Sequence, residues 1–294
     1  MKVIIIYGGN SSEKEISIKT GIAVSKSLDK AFNTKMVMVN DDYKIINNFY
    51  SEGDVVFNAL HGGYGENGEI QEFFEIEKIN FIGSGSKACN IAIDKMKSKK
   101  IANSIGCLTP YGKIVEDASV FGDFSTPFII KPNKEGSSVG FSQIYSKKDF
   151  EDALKVNKKY KYELLAEEKI EGREITVSIL DGKALPIVEI IPHSNVYDYE
   201  SKYVAGKTDY IVPAIIDPSI TNKIMSVSEK IHYEIGCRHY SRIDYILDSD
   251  NQLYFLEINT SPGMTATSLF PKSAKSSGIK FDDLLLKLVG LVKK

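Results

Sequence analysis

Short apolar runs alternate with helically spaced segments over the first third of the chain. Residues 3–7 form one continuous apolar run of strand length, closed by the turn Gly8-Gly9-Asn10. Ser12 and Glu15 then stand three apart, the form of a capping box, so a helix is predicted from there. Residues 35–39 and 54–60 read as further strands. Between residues 69 and 79, Ile70, Phe73 and Phe74 fall at helical spacing. This alternation predicts a wound, parallel α/β unit ending near residue 85.

The pattern then changes. Residues 86–105 read as one helix, stopped by Gly106 and Pro110. Strands at 128–131, 141–145 and 163–168, with a helix at 148–158, make a small α+β unit over residues 86–169. The remainder, 170–294, opens on a hairpin of 174–180 with 184–191, turning at Asp181-Gly182. The polar stretch 192–208 carries no periodicity and reads as a lid. A helix at 218–235, a second hairpin of 241–247 with 252–259, and an amphipathic helix at 281–292 complete the chain. The fold class is therefore mixed α/β, a parallel unit followed by two α+β units.

Composition removes several classes of function. With 43% hydrophobic residues the chain can bury a sizeable core, and 37 basic against 39 acidic residues give no pointer through charge to nucleic acid or an anionic membrane. The densest basic run, Lys97, Lys99 and Lys100, is expected on the solvated face of a helix. Cys89, Cys107 and Cys237 are far apart and form no CxxC pair, which argues against structural zinc and for a reduced, cytoplasmic setting. No apolar run is long enough for a leader or a membrane span.

The second hairpin carries the most chemistry. Arg242 and Asp244 are two apart on one strand, Glu257 and Asn259 two apart on the next, so all four are expected on one sheet face. Two carboxylates and an amide carbonyl suit magnesium when phosphates supply the other ligands, and Arg242 beside them suits a transferring phosphoryl group or an oxyanion. A plain salt bridge is the alternative for Arg242. The loop from Lys131 to Gly140 holds glycines, serines and lysines that fit the β- and γ-phosphates of ATP, although it is not a Walker A loop. Taken alone it is also an ordinary turn. Glu167 to Ile170 fall where one unit passes to the next, a frequent place for a cleft, while Glu167 and Glu174 as bare acids read as surface charges. Glu13 either complements a helix dipole or grips an ammonium group. His61 opens a segment with four glycines in eight residues, where a structural and a ligand role stand even.

Taken in order, YGGNSSEKEIS, HGGYGENGEIQ, IDKMKSK, IIKPNKEGSSVGFS, EEKIEGREITVSIL, YDYESKY and RIDYILDSDNQLYFLEINTSPGMTATSLFP span residues 7 to 271. In this order and spacing they resemble the D-alanine–D-alanine ligase family of the ATP-grasp superfamily. The resemblance implies an ATP-grasp fold, with residues 1–85 on the substrate side, 86–169 as the small ATP-grasp unit and 170–294 as the catalytic unit. It implies ATP and two magnesium ions as cofactors, manganese being a possible substitute, with Asp244, Glu257 and Asn259 as metal ligands. Lys95, Lys131 and the loop residues Glu135, Gly136 and Ser138 would hold phosphates, Lys202 reaching the γ-phosphate. Glu167, Glu168, Ile170 and Glu174 would surround adenine and ribose. Glu13, Ser137 and Tyr203 would orient substrate, His61 would neighbour the first substrate's carboxylate, and Ser268 and Leu269 would receive the second's. Arg242 and the Gly263 N–H would form the oxyanion hole.

The implied reaction phosphorylates one D-alanine and lets the amine of a second displace phosphate, giving D-alanyl-D-alanine for peptidoglycan synthesis. A cytoplasmic homodimer is the implied assembly. Three positions depart from the family pattern: Tyr64 and Asn67 in the His61 segment, and Lys169 where an aromatic is common. Rival readings are ligases for D-serine or D-lactate as acceptor, and a non-catalytic ATP-binding protein. YDYESKY argues against the lactate form, and the presence of Arg242, Asp244, Glu257 and Asn259 against loss of catalysis.

Overall fold

The computed structural model describes residues 1–137, 139–158, 163–193 and 206–292. The chain begins β1 (Lys2–Gly8), α1 (Lys14–Leu28), β2 (Asn33–Val39), β3 (Val55–Asn58), α2 (Glu69–Ile76) and β4 (Phe81–Ile82). The strands form one parallel sheet in the order β2-β1-β3-β4. The unbroken apolar run of β1 has a direct cause. Val3 and Ile5 enter a core with Val24, Leu28 and the C-terminal leucines, while Ile4 and Ile6 enter another with Ile70, Phe73 and Phe74. A sheet covered on both faces needs apolar residues at every position.

The expected capping box does not form. Helix α1 starts at Lys14 with Glu13 at its N-cap and no side-chain cap; Ser11 Oγ instead accepts from the Glu13 amide at 3.1 Å. Glu13 is drawn elsewhere, because its carboxylate accepts the Ser137 hydroxyl from across the chain. The predicted helix at 86–105 is two helices, α3 (Ser86–Ile93) and α4 (Lys95–Ser104). Asp94 between them is extended and its carboxylate accepts from the Lys97 amide at 3.1 Å, capping the second helix.

An antiparallel sheet of order β5-β8-β6-β7 follows, built from β5 (Gly112–Ile114), β6 (Phe128–Pro132), β7 (Ser142–Ile144) and β8 (Leu164–Glu168), with α5 (Lys147–Asn157) against it. Phe121, Phe124, Phe128 and Phe150 pack together beneath it. β5 is too short and polar to show in the apolar pattern.

The largest sheet is antiparallel, in the order β12-β11-β9-β13-β14, with β10 on β9. Its strands are β9 (Arg173–Leu180), β10 (Lys183–Ala184), β11 (Val188–Pro192), β12 (Thr208–Ile211), β13 (Tyr240–Leu247) and β14 (Leu253–Asn259). Asp181 and Gly182 both take positive φ at the first hairpin's turn, as the Asp-Gly pair predicts. β12 begins at the end of the stretch read as lid, most of which lies outside the described residues. Helices α6 (Pro218–Ile235), α7 (Leu269–Ser276) and α8 (Phe281–Leu291) complete the fold. α6 keeps its predicted bounds because both ends are marked: Asp217 caps Ser219 N at 2.8 Å ahead of Pro218, and Gly236 turns left-handed after Ile235. No helix among the described residues is long and apolar enough to cross a membrane.

Two histidines make this fold acid-sensitive. His232 is buried on α6 with Nδ1 2.7 Å from Ser241 Oγ, and His239 Nδ1 accepts the Gly83 amide at 2.9 Å, which requires an unprotonated nitrogen. Burial pushes both down to about 4. The unfolded chain takes up these protons near pH 6.5, so stability is full above that value and falls as pH drops toward 4. His232 contributes at most about 3 kcal/mol, and the half-buried His239 less because solvent screens it. Thermal melts should show this loss between pH 6.5 and 4, and His232→Gln should flatten it. An unchanged slope in the variant would count against burial of a neutral His232.

Candidate active site

The second hairpin brings its four polar residues together as the spacing predicts. Arg242 pairs with Asn259 and Asp244 with Glu257 in the β13–β14 register, and a bulge follows Asp244. Cross-strand partners share a face, so the four side chains converge. Arg242 forks onto Asp244, Nε to Oδ1 at 2.9 Å and Nη2 to Oδ2 at 2.8 Å. Thr176 on β9 donates its hydroxyl to the same Oδ1 at 2.6 Å. Glu257 lies 3.3 Å from Lys95 Nζ, and Asn259 Oδ1 accepts the Ser261 amide at 2.7 Å. The donors are all hard oxygens, which suits magnesium. No group of three or more His, Cys, Asp or Glu among the described residues is arranged to hold a metal alone. A cation on these oxygens would complete its shell with water or phosphate oxygens.

Two cavities meet at this face. The smaller, about 230 Å³, is lined by Glu13, His61, Ser137, Arg242, Gly263 and Ser268, with Gly136, Asn259 and Leu269 also on its wall. The larger, about 960 Å³, is lined by Lys131, Glu167, Glu168, Ile170, Glu174 and Asp244. Lys95, Glu135 and Glu257 line both. The first has room for small amino acids and the second for a nucleotide. Ser138, Lys202 and Tyr203, expected at the phosphates and the substrate, lie outside the described residues.

The small cavity is held by loops that bind one another. Ser137 donates to Glu13 Oε1, and Ser11 Oγ donates to the His61 carbonyl at 2.5 Å. His61 is fixed at both ring nitrogens, Nε2 3.0 Å from Thr20 Oγ1 and Nδ1 3.3 Å from Glu66 Oε1. Burial raises the Glu66 carboxyl above the usual range, and the histidine opposes that shift. Thr20 and Glu66 were not identified from the sequence; Glu66 stood within the glycine-rich segment as the one signal. The departures Tyr64 and Asn67 line neither of these cavities. Tyr64 donates to the Asn40 carbonyl, and Asn67 Oδ1 accepts the Glu69 amide at 2.9 Å at the start of α2.

At the other end of this cavity Ser268 is the N-cap of α7, a helix the apolar pattern did not reveal. Ser268 Oγ accepts the Thr265 amide at 3.1 Å. A side chain at Gly263 would meet Ser268 Oγ at 2.9 Å, so a larger residue there would displace the Ser268 hydroxyl. A helix N-terminus opening on the cavity, with Leu269 its first residue, suits a carboxylate.

The nucleotide-sized cavity rests on buried charge. Glu167 is 2% exposed, not a surface acid, and accepts Lys99 at Oε1 and Lys131 at Oε2, the latter at 2.6 Å. Burial alone would raise its pKa, but Lys131 and Lys99 outweigh it and hold the carboxyl below the usual range. Lys99 corrects the reading of a solvated basic run: it is 4% exposed, and burial pushes it down to about 8. Lys95 is equally buried, donates to the Glu135 carbonyl at 2.6 Å, and is held below the normal lysine range by burial, against the pull of Glu257. Its spacing of four from Lys99 was the available signal that both lysines point inward. Lys169, where an aromatic is common, ties its ammonium to Glu171 at 2.6 Å.

Two family models match the sequence, that of the D-ala D-ala ligase N-terminus over residues 44–84 and of the C-terminus over 113–290. A D-alanine–D-alanine ligase of Fusobacterium nucleatum is 42% identical over 97% of this chain and 97% of its own length. One from Carboxydothermus hydrogenoformans is 39% identical over 99% of this chain and 98% of its own. The crystal structure of a D-alanine–D-alanine ligase from Bacillus anthracis complexed with ATP has a TM-score of 0.86 at 32% identity, covering 100% of this chain and 97% of that one. The mixed α/β architecture is accordingly an ATP-grasp fold. With both family models matched in order and near full-length identity of this size, the chain belongs to the D-alanine–D-alanine ligase family.

Proposed function

We propose that the chain joins two D-alanines to D-alanyl-D-alanine at the expense of ATP. The observation that carries this reading is the meeting of an amino-acid-sized and a nucleotide-sized cavity over Lys95, Glu135 and Glu257. A carboxylate in the first cavity reaches phosphate in the second at that junction. Residues 1–85 supply the substrate side, 86–169 the small ATP-grasp unit and 170–294 the catalytic unit.

Lys95, Lys131 and the loop containing Glu135, Gly136 and Ser138 hold the phosphates, and Lys202 adds its charge at the γ-phosphate. Glu168, Ile170 and Glu174 line the base and ribose region with Glu167. Asp244, Glu257 and Asn259 would hold magnesium, which would offset charge on the transferring phosphoryl group. Glu13, with Ser137 and Tyr203, orients the first D-alanine beside His61. The carboxylate of that first D-alanine takes the γ-phosphoryl group from ATP, giving an acyl phosphate and ADP. The amine of the second D-alanine, its carboxylate at the α7 N-terminus by Ser268 and Leu269, attacks the acyl carbon. Arg242 and the Gly263 N–H stabilise the oxyanion, and phosphate leaves. The expected setting is the cytoplasm, with a homodimer as the assembly and peptidoglycan synthesis as the use.

Phosphate release from magnesium ATP, measured with D-alanine, with L-alanine and without amino acid, tests the reading. Release with D-alanine alone, accompanied by a dipeptide of matching mass and D,D chirality, is expected. Release without dipeptide would redirect the acceptor to D-serine or D-lactate. ATP binding with no release under any condition would sink the ligase.

A further inference from the structure

Beside the residues that touch the nucleotide cavity lies a cation that does not line it. Lys99 stands one turn after Lys95 on α4, is 4% exposed, and spends its ammonium on Glu167 Oε1. The opposite oxygen of that carboxylate carries Lys131, which does line the cavity. Glu167 is held by an ion pair at each carboxylate oxygen. It stands opposite Gly112 in the β5–β8 register, where an added Cβ would lie 3.2 Å from Glu167 Cγ. A buried carboxylate between two lysines is a group of net charge +1. With Lys131 alone the same carboxylate would cancel the charge that faces the cavity.

We propose that Lys99 is a positioning residue for the nucleotide: it neutralises Glu167 from behind, so that the charge of Lys131 stays available to the phosphates. The inference rests on the ATP-dependent reading and adds to it a residue that never contacts ATP.

Lys99→Met keeps the unbranched shape and most of the length of the side chain and removes the charge. The KM for ATP should rise about tenfold or more, and the affinity for ADP by calorimetry should fall by a similar factor. The kcat should stay within about threefold and the KM for D-alanine within about twofold, because the small cavity does not include Lys99. In a Glu167→Gln background the same change should cost less than about threefold, since no carboxylate is left to neutralise. A merely structural lysine would cost the same in both backgrounds, and that equality would overturn the proposal. So would ATP and ADP values within twofold of wild type in Lys99→Met. If Lys99→Met fails to fold, Lys99→Gln carries the same expectations. A wild-type chain that binds ADP yet makes no dipeptide overturns the ligase reading alone, and the calorimetric comparison still decides the role of Lys99.

Discussion

Replacing Arg242 with alanine is expected to lower kcat for dipeptide formation by about a thousandfold while the affinity for ADP changes less than about threefold. The split follows from where the guanidinium lies. It lines the small cavity, reaching Asp244 at the edge of the larger one through two bonds of 2.9 and 2.8 Å. The charge it meets there develops only when the acyl carbon becomes tetrahedral, so ground-state nucleotide binding loses little. Its removal also leaves Asp244 with the Thr176 hydroxyl but without its cation, which loosens a ligand of the proposed metal site. Arg242→Lys should recover little, because an ammonium cannot reproduce the two-pronged geometry. Steady-state phosphate release with calorimetry of ADP separates the two quantities. A variant that keeps more than about a tenth of wild-type kcat removes Arg242 from the oxyanion role.

Glu257→Gln is expected to be the second severe lesion, lowering kcat about a hundredfold or more and raising the magnesium concentration needed for half-maximal rate. Two losses combine. One hard anionic donor disappears from the set formed with Asp244 and Asn259. Lys95, 3.3 Å away and buried, loses the carboxylate that opposes the effect of burial on its pKa. Its folded pKa, already below the normal lysine value, then falls further, so the charged form is lost at lower pH than in wild type. The alkaline limb of the rate profile should accordingly move toward neutral pH in the variant. Magnesium titrations at two pH values test both parts. An unchanged magnesium requirement would remove Glu257 from the metal site, and an unmoved alkaline limb would uncouple it from Lys95.

The geometry of these two residues was legible before any fold was known, and the reason is local. Residues two apart on a strand share a face, so Arg242 with Asp244 and Glu257 with Asn259 were each readable as a pair, while the register shift at the bulge after Asp244 sets the two pairs opposite one another across the connection of residues 248–252. The bounds of α6 were legible for a similar reason, since Asp217-Pro218 and Gly236 mark its ends in the chain itself. Where local signals competed with contacts from distant segments, local reading failed. Ser12 and Glu15 have the form of a capping box, but Glu13 and Ser11 are recruited by Ser137 and His61, and the helix starts without it. Asp94 reads as one polar position in a long helix, but Asn133, in the loop after β6, donates to it at 3.0 Å and holds it as a cap.

Thus the amino-acid sequence by itself determined the strand–helix alternation, the hairpin that carries the proposed metal and oxyanion residues, and the family motifs in their order. Each depends on neighbours a few residues apart. Only the tertiary structure decided which charges are buried. Lys99 reads as one more lysine in a solvated run, and Glu167 as a surface acid, because nothing near either in the chain shows the other. Burial of a charge is tolerable only when its counterion arrives with it, and here the counterion comes from 68 residues away.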